Sequence, residues 1–331
     1  MMRGGFTHAV RPITISNANQ YVDNPNEAGL VLNTPFSLIR TIDKKPFTVP
    51  NFMTDAEAEA LYSPVHKPVA DLRAALDSSA FSKDIPLRTK DAKPMNVVVL
   101  ILESFSKQHI GYYNVTKNEC GKYGKKETFT PFLDSLLTNC GMTFRHSYAN
   151  GRKSIEGMPS VLSSIPNFVE PFFLTPASMN KLSGMARELT ENKGYSTAFF
   201  HGAERGSMGF EAFAKATGFQ HNYSREEFKD DPNYNGDDEF DGTWAIWDEE
   251  FLLFAADHFS DLKPPFMTAI FTASSHTPFV VPERYVGKFR KGRAPIQECV
   301  MYSDNALRQF FNKARQQPWF ENTLFVAFAL L

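Results

Sequence analysis

The run Asn96-Val97-Val98-Val99-Leu100-Ile101-Leu102 constrains the fold of this chain more than any other segment. After Pro94 and Asn96 come six consecutive apolar residues, four of them β-branched, and then polar residues. A strand with one wet face alternates apolar and polar side chains. A continuous run fits a strand buried on both faces, the situation of a parallel sheet covered by helices. The rest of the chain alternates in the same sense. Further strands are expected at 142–147, 195–200, 266–272 and 323–328, and helices at 130–137, 154–162, 178–192, 207–218, 244–259 and 296–315. Thr130 followed by Pro131 reads as a cap and first helical position, and Gly194 as a helix stop. Strands and helices alternating over about 230 residues predict an α/β domain with a mostly parallel central sheet and helices on both faces.

Ahead of that domain, residues 1–50 are polar, rich in Pro and Asn and without periodicity, which is the pattern of an arm running over a surface. Thr54-Asp55 can cap a short helix over 56–61. The expected division is an N-terminal arm and linker at 1–93 and a folded domain at 94–331. With 42% hydrophobic and 22% charged residues, the composition excludes a disordered or fibrous chain. A net charge of −2, from 35 basic and 37 acidic residues, gives no electrostatic reason to expect a nucleic-acid partner. Three cysteines are too few for a disulfide framework; a Cys120–Cys140 bridge and unpaired thiols are both open. No segment reaches the ~18 apolar residues that a membrane-spanning helix needs. Met1-Met2-Arg3-Gly4-Gly5-Phe6 lacks the apolar centre of a signal peptide, so the chain as given is expected to be soluble.

In open α/β sheets, binding sites gather at the carboxyl ends of the strands. Glu103 directly follows the first strand, and a carboxylate there needs a partner: a metal ion, an arginine or a helix N-terminus. Asn150-Gly151-Arg152-Lys153-Ser154 opens a helix, where free N–H groups and two cations favour an anion. Ser154 at that place reads either as an ordinary helix cap or as a hydroxyl nucleophile. His201-Gly202 follows a third expected strand and Ser274-Ser275-His276-Thr277-Pro278-Phe279 a fourth. Two imidazoles at two strand ends of one sheet can donate to phosphate oxygens or bind metal.

Taken in order, Asn96–Phe105, Thr130-Pro131-Phe132-Leu133-Asp134, Asn150-Gly151-Arg152-Lys153-Ser154, Phe200-His201-Gly202 and Ser275-His276-Thr277-Pro278-Phe279 resemble the lipoteichoic acid synthase-like branch of the sulfatase and alkaline phosphatase superfamily. The resemblance covers roughly 94–331, and the stretch before it looks like the segment joining such a domain to a membrane anchor. It implies an alkaline phosphatase-like α/β sandwich and an extracytoplasmic catalytic domain, monomeric, whose parent protein sits at the cell membrane. The substrate implied is a phospholipid or envelope glycan, with a phosphoglycerol or phosphoethanolamine head group transferred or hydrolysed. Ser154 falls at the nucleophile's position and also binds the divalent ion (Mn²⁺, Mg²⁺ or Zn²⁺), with Glu103 as the acidic metal ligand. His276 and His201 match substrate contacts, and Arg152 and Lys153 are expected to add charge for the phosphate.

The chain departs from the family at two places. The tryptophan and arginine expected after Phe200-His201-Gly202 are replaced by Ser207-Met208-Gly209-Phe210-Glu211. After the last strand the family places an Asp-His pair of metal ligands, whereas this chain reads Ala327-Phe328-Ala329-Leu330-Leu331. A remnant that keeps the anion site without turnover is therefore the alternative to an active enzyme. Sulfate-ester hydrolysis is a second alternative, but Ser154-Ile155-Glu156-Gly157-Met158 lacks the Pro and Arg required for formylglycine formation.

Overall fold

The computed structural model describes residues 15–22, 27–43, 52–61, 93–114, 128–144, 147–167 and 170–330. The described residues of Met1–Ser37 group with those of Met95–Leu331 as one compact unit, and those of Leu38–Pro94 form another. In the second unit, the expected short helix spans Asp55–Leu61. Its start is a reciprocal cap: the Glu57 carboxylate accepts from the Thr54 N–H at 2.8 Å, and the Thr54 hydroxyl accepts from the Glu57 N–H at 3.3 Å.

The larger unit is built on five parallel strands in the order β3-β2-β4-β1-β5. They are β1 (Asn96–Leu102), β2 (Ser196–His201), β3 (His221–Tyr223), β4 (Phe266–Phe271) and β5 (Thr323–Ala329). Side chains of β1 alternate between two cores. Val98, Leu100 and Leu102 pack with the helices Asp248–His258 and Ile296–Ala314, while Val99 and Ile101 pack with Ser154–Ser163 and Phe210–Ala216. This two-sided burial is the reason the run is apolar at every position rather than at every second one. Phenylalanines fill much of both layers, among them Phe200, Phe254, Phe259 and Phe266 on one face and Phe173, Phe199, Phe210 and Phe213 on the other.

Four of the expected strands are present; the expected strand over 142–147 is not. Met142 and Phe144 are 68% and 67% exposed in coil, with no sheet neighbour to cover them, and 145 and 146 lie outside the described residues. The fifth strand is β3, whose three residues are too short to carry a periodic signal. Among the described residues, the Asn150-Gly151-Arg152-Lys153 loop before Ser154 therefore does not follow a sheet strand. Two helices start later than their patterns predict. The segment expected at 178–192 is helical over Met185–Lys193, after a 3-10 turn at Pro176–Met179. The one expected from 244 begins at Asp248, because Ala245 and Ile246 form antiparallel bridges with Ala203 and Phe240. Pro131 does open its helix, but the cap comes from elsewhere: the Asp304 carboxylate, on the long Ile296–Ala314 helix, accepts the N–H groups of Phe132 and Leu133 at 2.8 and 2.9 Å. Cys140 is exposed and Cys299 buried, both as free thiols; Cys120 lies outside the described residues. Among the described residues, no helix is long and apolar enough to cross a membrane.

Candidate active site at the strand ends

Strands β2, β4 and β1 are adjacent, so whatever follows them meets at one sheet edge. Glu103 comes directly after β1 and is 4% exposed. Its backbone is clamped to the end of β4: the Glu103 N–H donates to the Thr272 hydroxyl at 2.9 Å, and the Ser275 hydroxyl donates to the Glu103 carbonyl at 2.5 Å. Ser104 turns the chain away in a left-handed conformation (φ 58°) and donates its hydroxyl to Glu103 Oε1 at 3.0 Å. The other carboxylate oxygen, Oε2, accepts from the Ser154 hydroxyl at 2.7 Å in a buried contact. Burial pushes the Glu103 carboxyl above its ordinary range, against the opposing pull of the Ser154 hydrogen bond, the His276 charge and the Ser104 hydrogen bond.

Ser154 is the first residue of its helix, and the cap position is held by Lys153. The helix-cap reading of Ser154 is therefore excluded: its hydroxyl is turned to Glu103 instead of to the backbone. The loop before it folds around Glu156, whose Oε2 accepts the N–H groups of Arg152 and Lys153 at 2.6 and 3.2 Å. Gly151 (φ 139°) takes a conformation that side-chain-bearing residues rarely adopt, in contact distance of that carboxylate. The side chains of Arg152 and Lys153 are exposed and do not line the pocket beside Ser154.

That pocket is lined by Glu103, Ser154, His201 and His276 together with Ala203, Met208, Trp244, Phe271 and Ala273. Four of the six site residues expected from the sequence thus share one cavity. His276 leaves its Nδ1 3.1 Å from the Thr277 carbonyl. His201 is the last residue of β2, packed against the rings of Phe210 and Phe271 with both ring nitrogens buried. Burial pulls its imidazole down to about 4. The consequence for stability has a definite sign. The unfolded imidazole titrates at 6.5, so acidification from there to about 4 protonates only the unfolded state. Stability that is full above 6.5 is then lost as pH falls, by about 3 kcal/mol across the window. Urea midpoints at neutral pH and near pH 4 should fall less for His201→Asn than for the unsubstituted chain; an equal fall would place the acid sensitivity elsewhere.

Two residues of this region escaped the sequence reading. Asp248, fully buried, accepts the N–H groups of Ala273 and Ser274 at 2.8 and 3.1 Å and the Ser303 hydroxyl at 2.6 Å, and so fixes the loop that carries His276. Trp244 lines the pocket from a loop that reads as the start of a helix; the Asp241-Gly242 pair was the signal that it is a turn.

A resident metal needs more than this pocket holds. Glu103 and Ser154 offer one carboxylate and one neutral hydroxyl. The strand-end position beside Glu103 belongs to Leu330, whose N–H donates to the Leu102 carbonyl at 2.9 Å and whose side chain is buried in the apolar core near Gly157. Among the described residues, no three His, Cys, Asp or Glu side chains form a group that could hold a metal ion. The residues present therefore do not fit the divalent ion that the resemblance implies.

The Sulfatase family profile matches residues 95–329. Phosphoglycerol transferase I of Escherichia coli is 28% identical over 269 residues, covering 76% of this chain and 32% of its own length. Phosphoglycerol transferase I of Citrobacter koseri is 30% identical over 215 residues, covering 60% of this chain and 27% of its own. The chain thus spans between about a quarter and a third of the length of these curated relatives. Among solved structures, an alkaline phosphatase superfamily protein from Vibrio parahaemolyticus superposes with a TM-score of 0.61 at 26% identity, over 78% of this chain and 61% of that one. The lipoteichoic acid synthase LtaP from Listeria monocytogenes has the same fold, with a TM-score of 0.57 at 22% identity over 78% of this chain and 61% of its own.

Proposed function

The chain belongs to the sulfatase family, and on that premise we propose that it is the catalytic part of a transferase or hydrolase acting on a phospho-head group, with Ser154 as nucleophile. The observation that carries the reading is the buried 2.7 Å hydrogen bond from the Ser154 hydroxyl to Glu103 at the mouth of a helix. A nucleophile bonded to a carboxylate has a proton acceptor in place, and burial makes that carboxylate more basic. Ser154 opens the Ser154–Ser163 helix, and a helix N-terminus with its positive dipole end favours a phosphate oxygen.

In the first step, the Ser154 oxygen attacks phosphorus and its proton passes to Glu103. The bond from phosphorus to the leaving alkoxide breaks, and the alkoxide takes a proton from His276 when that ring is protonated, or from water. His276 Nδ1 is engaged by Thr277, 3.1 Å from its carbonyl and 3.2 Å from its hydroxyl, so Nε2 is the atom left for this transfer. An alcohol or water then attacks the phospho-serine and gives its proton to His276 or to water; the phosphorus–oxygen bond to Ser154 breaks, and Glu103 returns its proton to the Ser154 oxygen. The head group is phosphoglycerol or phosphoethanolamine, of which the phosphoglycerol transferase relatives favour the first. His201 contacts that group, and Arg152 and Lys153 contribute only long-range charge. The reading places the domain outside the cytoplasm, as a monomer on a membrane-anchored parent protein, with a phospholipid or envelope glycan as substrate.

The remnant reading is favoured by one observation, the apolar Leu330 beside Glu103. The test is covalent trapping. The chain is incubated with a glycerophosphodiester, quenched in acid and mapped by peptide mass. A phospho-adduct on the peptide containing Ser154 is expected. An adduct that persists in Ser154→Ala refutes the assignment, and no adduct in either protein supports the remnant.

A further inference from the structure

We propose that residues 286–293 dock this domain on an anionic phospholipid surface, at the sheet edge that holds the Ser154 pocket. The proposal goes beyond the phospho-head group reading and does not require Ser154 to be the nucleophile. Its starting point is charge. Lys288, Arg290, Lys291 and Arg293 fall within six residues, and all four are exposed. No acidic residue occurs between Arg284 and Gln297. The whole chain carries a net charge of −2, so the concentration of cations is local to this segment.

A run of cations on a loose loop would be only a solvated stretch, but this one is held at both ends. On its amino side, Arg284 pairs with Glu239 at 3.3 Å and with Glu250, and the Tyr285 hydroxyl donates to Glu249 at 2.6 Å. Phe289 stacks on Tyr285 with ring centroids 5.2 Å apart. Further along, Arg290 donates to the Thr128 carbonyl at 3.0 Å, with its guanidinium 4.5 Å from the centre of the Phe129 ring. A backbone fixed in this way loses little freedom when its lysines meet a charged surface. The location follows from the same contacts. The chain leaves β4 through His276, and Glu249 and Glu250 open the Asp248–His258 helix, whose Asp248 accepts the N–H groups of Ala273 and Ser274 at the end of β4. The basic segment therefore lies at the sheet edge where the pocket opens.

The choice of a lipid surface over a soluble polyanion rests on the apolar side chains of the same stretch. Val280 and Val286 are 45% and 65% exposed, on the approach to the cations and at their start. Apolar side chains beside basic ones suit a bilayer interface, where the cations meet lipid phosphates and the valines reach the acyl boundary. A soluble polyanion satisfies the cations and leaves the valines in water.

The test is co-sedimentation of the full chain with vesicles of phosphatidylcholine alone or mixed with phosphatidylserine, whose head group is neither of those proposed for the pocket. Binding is expected to the anionic vesicles and not to phosphatidylcholine. It should fall steeply between about 0.1 M and about 1 M salt, as the screening length shrinks from ~10 to ~3 Å. The double variant Lys288→Ala/Lys291→Ala should weaken it about tenfold or more. Lys193 and Lys263 are exposed at the opposite sheet edge, just ahead of β2 and β4. Lys193→Ala/Lys263→Ala removes the same charge there and should change binding less than about twofold. Surface substitutions of this kind leave the fold in place. Equal losses in the two double variants would show that net charge alone is felt, and would overturn the proposal. So would a lack of binding to anionic vesicles, or binding of dextran sulfate without vesicle binding, which would assign the segment to a soluble polyanion. The phospho-head group reading survives each of these failures, because none of them involves Ser154.

Discussion

Ser154→Ala is expected to reduce phosphodiester turnover to background, a loss of about 10³-fold or more for removal of a nucleophile, with the fold retained and only a modest fall in the urea midpoint as the buried Glu103 carboxylate loses one hydrogen bond. The hydroxyl makes one hydrogen bond, to Glu103, and the Cβ of alanine keeps the helix start. Ser154→Thr should retain part of the activity, because the hydroxyl survives while its methyl must fit a site that is 9% exposed. Glu103→Gln separates two roles. A glutamine still accepts the Ser154 hydrogen bond but cannot take its proton, so turnover should drop by about 10²-fold or more. The pH profile carries the same information. Burial raises the Glu103 carboxyl, so the rate should climb with pH through a limb lying above the ordinary glutamate range, and Glu103→Gln should lack that limb. Turnover by Ser154→Ala equal to that of the unsubstituted chain would mean that the nucleophile is elsewhere.

The parts of this site legible in the sequence are those set by strand ends. An apolar run predicts β1, and the residue after it is Glu103; the same logic places His201 and His276. Burial on two faces made those strands readable, because every position is apolar. The sheet's edge was not readable in this way. His221–Tyr223 is short and partly exposed, whereas Met142–Phe144 has a strand-like composition but no partner that would bury it. Hydrophobic pattern reports what a residue would gain by burial, not whether the topology supplies a neighbour. Long-range polar contacts were also illegible. Asp248 fixes the His276 loop from 25 residues away, and Asp304 caps a helix from 172. Neither partner announces the other in sequence. The loop at 150–153 misled in the opposite direction: Arg152 and Lys153 look like an anion clamp, but their backbone N–H groups wrap Glu156 and their side chains face solvent.

Mn²⁺ is expected to bind the 331-residue chain only at about millimolar concentration, the range of weak hard-cation sites, and Leu330→Asp should tighten it by about tenfold or more. The argument is one of charge and register. Glu103 supplies one negative charge, already shared with two hydroxyl hydrogen bonds, and Ser154 supplies a neutral oxygen. β5 runs parallel to β1 with Ala329 opposite Leu102, so residue 330 stands at the level of Glu103 on the neighbouring strand. Neighbouring strands lie about 4.8 Å apart, close enough for carboxylates at those two positions to share one ion. In the absence of metal, Leu330→Asp should destabilise the chain, because it trades a buried apolar side chain for a carboxylate close to Glu103. Mn²⁺ should then restore stability in that variant more than in the unsubstituted chain, since an ion that binds only the folded state stabilises it. Free Mn²⁺ followed by electron paramagnetic resonance gives the affinity, and thermal melts with and without Mn²⁺ give the linkage. Micromolar binding by the unsubstituted chain that survives Glu103→Gln would show that the ion is held away from this pocket. No gain in affinity on Leu330→Asp would show that register alone does not bring the two carboxylates to one ion.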